Sequence, residues 1–207
     1  MKLLLIPTVF LASLGQISGQ DKKAEEGTKE EKAVPAAGGR CCTALPIGEI
    51  KNPVFLKQDQ KKKEVELYII ATFDKSNYGM NFNGISKSEG GYEVPLGWKV
   101  KVTFCNNSDV PHSLMVVEAD AAERKINLGD EPYFDGATTP KANTIGTTNK
   151  IEKFEFTPDE AGDFSLACGF PTHSANGHRI FLNIKKDLKK AAFIKPKKAE
   201  KKKEEAK

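Results

Sequence analysis

Phe164-Ser-Leu166-Ala-Cys168-Gly-Phe170-Pro-Thr-His173-Ser-Ala-Asn-Gly-His178-Arg-Ile180-Phe-Leu182-Asn-Ile184 decides how the rest of this chain reads. Phe164, Leu166 and Cys168 occupy alternate positions, so they share one face of a strand and Cys168 projects from its core side. Ile180, Leu182 and Ile184 alternate in the same way. His178 falls in step with them, which predicts an inward imidazole. Two apolar strands thus flank a short loop holding a thiol and two imidazoles.

The runs upstream continue the alternation. Val65, Leu67, Ile69, Ala71 and Phe73 take one face of a strand, with Glu66, Tyr68, Ile70 and Thr72 on the other. Trp98, Val100, Val102 and Phe104 alternate more cleanly against Lys99, Lys101 and Thr103. Phe154 and Phe156 make a short strand ending at Thr157-Pro158-Asp159. Gly90-Gly91, Pro95-Leu-Gly97, Asn106-Asn-Ser-Asp109 and Thr139-Pro140 read as turns between such runs. Several short strands at this spacing predict an all-β sandwich. From Ala119 to Lys150 the pattern weakens to at most a helical turn over Ala119–Lys125, followed by a polar loop.

The chain of 207 residues has three histidines, and all fall where one metal ion could use them. His112 ends the loop after the Trp98–Phe104 run; His173 and His178 follow Cys168. Structural zinc sites take their ligands in close pairs, and the gap from His173 to His178 would suit one. Cys168 nevertheless stands alone beside them, and Cys41, Cys42 and Cys105 supply no second pair. A soft thiolate with imidazoles from separated loops is the donor set of a cysteine–bis-histidine copper centre, and copper binds such N/S sites more tightly than zinc.

With those residues in place, the stretch from about Tyr78 to Ile184 resembles the sulfocyanin branch of the cupredoxins. The matching words are Asn81-Phe-Asn-Gly84, Val94-Pro-Leu-Gly-Trp98, Asn106-Asn-Ser-Asp-Val-Pro-His112-Ser-Leu, Phe154-Glu-Phe, Ala161-Gly-Asp-Phe and Cys168-Gly-Phe-Pro-Thr-His173. The resemblance implies a Greek-key β-sandwich, one type 1 copper ion and single-electron transfer. It also implies that His112, Cys168 and His173 are the equatorial ligands. His178 stands where the family carries an axial methionine, ten residues after the cysteine. Imidazole binds more strongly than a thioether, so a lower reduction potential and a green or red colour are expected. The alternative is an outward His178 and a centre left three-coordinate or capped by a backbone carbonyl, such as that of Pro111. Met115 lies on the opposite face of its strand from His112, whereas Met80 stays open as a further donor. Ser113 stands where the family often has a bracing asparagine, and its shorter reach predicts a weaker brace.

Residues 64–186 suffice for one core. Residues 20–63 read as a linker or N-terminal extension, and 187–207 as a lysine-rich tail; both charged flanks are expected to be disordered. From Lys185 to Lys207 there are eleven lysines and four acids, a local charge of +7 within a chain of +4, leaving −3 upstream. The tail could touch an anionic membrane surface or an acidic redox partner, or simply be a solvated extension. Nucleic acid is not expected as a partner, since no repeated aromatic-and-basic interleaving accompanies the lysines and the chain reads as exported. Met1-Lys2 followed by the apolar Leu3–Leu14 run reads as a signal peptide over residues 1–19, hence export to a periplasmic or extracellular space. That address permits disulfides. Cys41 or Cys42 could pair with Cys105, or the adjacent pair could form a second soft metal site.

Three functions follow. A one-electron carrier working with redox partner proteins leads. The others are a red-copper-like enzyme or small-molecule site with an open coordination position, and a copper storage or delivery protein.

Overall fold

The computed structural model describes residues 44–49 and 51–196. The signal-peptide reading, Cys41, Cys42 and the C-terminal part of the lysine-rich tail all lie outside the described residues. Among the described residues nine strands follow in order: β1 (Leu56–Asp59), β2 (Glu64–Ala71), β3 (Gly91–Pro95), β4 (Lys99–Asn106), β5 (Met115–Glu118), β6 (Ile151–Phe156), β7 (Gly162–Ala167), β8 (Arg179–Lys185) and β9 (Ala192–Ile194). A short α-helix, α1 (Ala119–Arg124), follows β5 directly.

The strands form two sheets, in the orders β1-β2-β4-β6 and β5-β7-β8-β3-β9. The chain shuttles between them from β2 to β6, so β2 pairs with β4 and β3 with β8 in parallel, while the other pairs are antiparallel. This is the Greek-key cupredoxin sandwich expected from the sequence. In the first sheet Val65, Leu67 and Ile69 lie beside Val100, Val102 and Phe104. All six are buried in one core with Tyr92, Val94, Phe164, Leu166, Ile180, Leu182 and Ile184 of the other sheet. Each such side chain contributes about 1.5–3 kcal/mol on burial, which makes the alternation decisive.

The sandwich reaches beyond residues 64–186 at both ends. Leu45, Ile47 and Phe55 are buried, β1 edges the first sheet and β9 edges the second. Phe193 of β9 packs against Phe55 and Tyr92, with ring centroids 5.3 and 5.0 Å apart. Gln58 and Ala191 exchange two hydrogen bonds, Nε2–H to carbonyl at 3.1 Å and N–H to Oε1 at 2.9 Å. The segment read as linker or extension therefore carries core residues in its described part.

Two other expectations change. Gly91 and Pro95, read as turn residues, bound β3, whose Tyr92 and Val94 point into the core. Tyr68 and Ile70, assigned to the less apolar face of β2, are buried as well. The helical turn sits where the weak pattern placed it, over Ala119–Arg124. It covers a small second core of Met115, Val117, Ala122, Ala142 and Ala167, which removes Met115 from the histidine side of β5.

Candidate metal centre

His112 sits on the connection from β4 to β5. Its main chain exchanges hydrogen bonds with Thr147, N–H to carbonyl at 3.1 Å and carbonyl to N–H at 2.8 Å. Gly146 makes that approach possible, since its φ is +61° and a Cβ there would lie 2.9 Å from the His112 carbonyl oxygen. Asn106, at the end of β4, holds the loop from the other side by donating to the carbonyls of Val110 and Thr147.

The other three residues lie between β7 and β8. Cys168 follows the last residue of β7, and its N–H donates to the His178 carbonyl at 3.0 Å. The intervening turn is fixed internally: the His173 N–H reaches the Phe170 carbonyl at 3.1 Å and the His178 N–H reaches the His173 carbonyl at 2.9 Å. The buried Arg179 guanidinium donates to the Ser174 carbonyl at 2.7 Å, and the Thr172 N–H donates to the Ile126 carbonyl at 2.7 Å.

His112, Cys168, His173 and His178 each offer one donor atom, and these atoms all lie within 4.8 Å of one another. The Nδ1 atoms of His112 and His173 are 3.3 Å apart, and the Cys168 Sγ is 3.5 Å from the Nδ1 of His173 and 4.0 Å from that of His112. Donors around one ion at bond lengths of about 2.0–2.3 Å stand roughly 3.3–3.7 Å apart, so these separations suit a shared cation. His178 is inward, with no exposure. Its Nε2–H lies 3.2 Å from the Asn81 carbonyl, while its Nδ1 is buried without a protein partner. An orphaned, buried nitrogen beside three other donors leaves a lone pair that a metal ion could take.

Burial holds the imidazoles neutral. It pushes His112 down to about 4, assisted by His173, and carries His178 well below the ordinary histidine value. His173 is lowered for the same reason. Burial raises the Cys168 thiol, opposed by the main-chain N–H groups of Ser113 and Phe170 and by the Ser113 hydroxyl. Neutral imidazole lone pairs and N–H groups aimed at sulfur prepare the site for a soft cation that takes a thiolate. The four residues fit one copper ion.

Ser113 departs from expectation. Its hydroxyl donates to the Ala142 carbonyl at 2.8 Å and accepts the Gly169 N–H at 2.9 Å, while its own N–H lies 3.5 Å from the Cys168 sulfur. A short side chain braces both ligand loops because the main chains come to it. The approach requires Gly169, where a Cβ would fall 2.8 Å from the Met115 sulfur and 3.1 Å from Ala142.

The profile of the Sulfocyanin (SoxE) domain matches residues 51–194. The chain belongs to the sulfocyanin family. Sulfocyanin of Sulfolobus acidocaldarius is 29% identical over 120 residues, which cover 56% of this chain and 60% of that protein. This sulfocyanin-family chain therefore spans less than two thirds of that relative. Auracyanin A of Chloroflexus aurantiacus, described as a "blue" copper protein, is 20% identical over 59% of this chain and 99% of its own, with a TM-score of 0.38. Reduced rusticyanin is 22% identical over 59% of this chain and 77% of its own, with a TM-score of 0.40.

All four metal-site residues read from the sequence come together. The anchors Asn106 and Asn81 were legible only as words in a family pattern; their hydrogen bonds had no sequence signal. Cys105 is disulfide-bonded, Cys168 is free, and the pairing of Cys105 with Cys41 or Cys42 falls outside the described residues.

Proposed function

We propose that His112, Cys168, His173 and His178 hold one copper ion and that the protein is a one-electron carrier between redox partner proteins. The observation that carries this reading is the burial of the donor set: Cys168 and His178 have no exposure, His112 has 3%, and His173 alone is half-buried. Copper held there would take up and return a single electron. The protein's part is to keep the donors fixed and water out while that happens. Hydrogen-bonded turns on both sides of the cluster restrain every ligand, so little atomic rearrangement need accompany the change of charge.

His173 offers the route to the surface. Tyr78, Val110, Ile126 and Ile145 are 97%, 54%, 67% and 57% exposed. Each belongs to a segment tied to a ligand loop. Asn77, next to Tyr78, donates to the Asn176 carbonyl at 3.1 Å, and Ile126 accepts the Thr172 N–H. Val110 and Ile145 stand beside the Pro111-His112 and Gly146-Thr147 anchors. Exposed apolar residues on segments tied to the ligand loops suit brief contact with a partner protein.

The positively charged, then apolar start of the chain supports export to a periplasmic or extracellular space. The lysine-rich C-terminal run would suit an anionic membrane surface, whose test is salt-sensitive binding to anionic vesicles.

Optical and EPR spectra of the copper-loaded protein test the central reading. An intense visible sulfur-to-copper band is expected, abolished in Cys168→Ser, with reversible voltammetry little changed by azide. A Cys168→Ser variant that keeps the band would refute the site. Large azide shifts accompanied by turnover would replace the carrier with an enzyme.

A further inference from the structure

We propose that Asn81 is the positioning residue for the fourth ligand: its main-chain carbonyl accepts the His178 Nε2–H and so commits the imidazole to the tautomer whose Nδ1 lone pair is free for the metal. The inference rests on reading His178 as a ligand, and it adds what fixes which nitrogen does the binding. A neutral imidazole has one N–H and one lone pair, so whatever engages the N–H selects the donor atom. His178 Nε2 is 3.2 Å from the Asn81 oxygen, and Nδ1 is the nitrogen left buried and unpartnered. His112 and His173 likewise approach each other through Nδ1.

The carbonyl can select a tautomer only if it cannot move, and Asn81 is held at every polar atom. The residue is fully buried. Its Oδ1 accepts the N–H groups of Phe73 and Gly84, each at 3.1 Å. Its Nδ2 donates to the carbonyls of Asp74 and Ser76, each at 3.0 Å. The main-chain N–H donates to the Gly79 carbonyl at 2.9 Å, and the carbonyl oxygen also accepts the Thr72 N–H at 3.0 Å. Only an amide side chain offers two acceptor and two donor directions at once, so neither aspartate nor leucine, though similar in size, could replace it. Phe82, the next residue, lays its ring on the same imidazole, with centroids 4.1 Å apart and planes inclined by 30°. The loop after β2 therefore grips His178 by its N–H and by its face. A half-turn of the ring would carry Nε2 away from the Asn81 carbonyl and break the hydrogen bond.

The first test needs neither copper nor a variant. Nitrogen-15 NMR of the copper-free protein is expected to place the His178 proton on Nε2, protected from exchange; a proton on Nδ1 overturns the proposal. Because no metal is present, this result stands apart from the carrier reading, which fails separately if copper loading gives no thiolate band. The second test is a cycle of Asn81→Ser and His178→Met in the copper-loaded protein. Serine keeps the carbonyl but removes the side-chain bonds that fix it. Asn81→Ser is expected to speed Nε2–H exchange at least tenfold and to raise the reduction potential, while in the His178→Met background it leaves the potential unchanged. An equal change of potential in both backgrounds, or none in either, overturns the positioning role. If Asn81→Ser does not fold, the tautomer measurement decides alone.

Discussion

Replacing Ser113 by alanine isolates the brace between the ligand loops. The substitution removes one oxygen and leaves the Ser113 N–H, with its approach to the Cys168 sulfur, in place. Two main-chain groups lose their partner: the Gly169 N–H, at 2.9 Å, and the Ala142 carbonyl, at 2.8 Å. Ser113 has no exposure, so water cannot readily replace the hydroxyl. An unsatisfied buried polar group costs about 1–3 kcal/mol, and two with partial relaxation amount to roughly 2–4 kcal/mol. At about 2–4 °C per kcal/mol for a domain of this size, Tm should fall by roughly 5–15 °C. Urea unfolding of the copper-free protein measures the loss as a shifted midpoint at constant slope. The visible band of the copper-loaded variant should survive, since no ligand is removed. A loss below about 0.5 kcal/mol would refute the reasoning, because it would mean that the two main-chain groups never depended on this hydroxyl.

Acid should weaken the copper-free protein through His112. Burial and His173 hold this imidazole near 4, whereas in the unfolded chain it titrates at its ordinary value of 6.5. The unfolded state therefore binds the proton first; stability is full above the unfolded value and is lost as pH falls from there toward 4, by about 3 kcal/mol. His112→Gln should flatten that part of the urea-midpoint profile, and profiles of equal slope would count against the assignment. Gly91→Ala should prevent normal folding or cost more than about 3 kcal/mol, because a Cβ would lie 2.0 Å from the Phe181 carbonyl oxygen and 2.7 Å from its nitrogen. Circular dichroism melting checks this, and a wild-type curve would contradict the β3–β8 packing.

Much of the fold was legible because apolar alternation carries it. β4, β7 and β8 place Val100, Val102, Phe104, Phe164, Leu166, Ile180, Leu182 and Ile184 inward, as the pattern required. β3 escaped because Gly91 and Pro95 look like punctuation and only Tyr92 and Val94 mark its inner face. β1 and β9 are edge strands of four and three residues, too short for periodicity to speak. The metal site was legible at its donors, since parity alone turns His178 inward. Its supports were not. Ser113 was expected to reach too little, a judgement made from side-chain length when the backbone approach through Gly169 sets the distance. Asn81 acts on His178 through a main-chain carbonyl across a separation of 97 residues, and carbonyls leave no mark on side-chain patterns.

The paired hydrogen bonds between Gln58 and Ala191 join residues 133 positions apart. Closing a loop of that length in an otherwise flexible chain costs on the order of 4 kcal/mol in entropy, more than two hydrogen bonds return. The clasp cannot nucleate folding and must snap shut on sheets already formed. With its many long-range pairings the domain belongs among slow folders, on the millisecond-to-second scale. Exchange of the Ala191 amide would then time the last event of folding, well after the amides of β4 and β7 are protected.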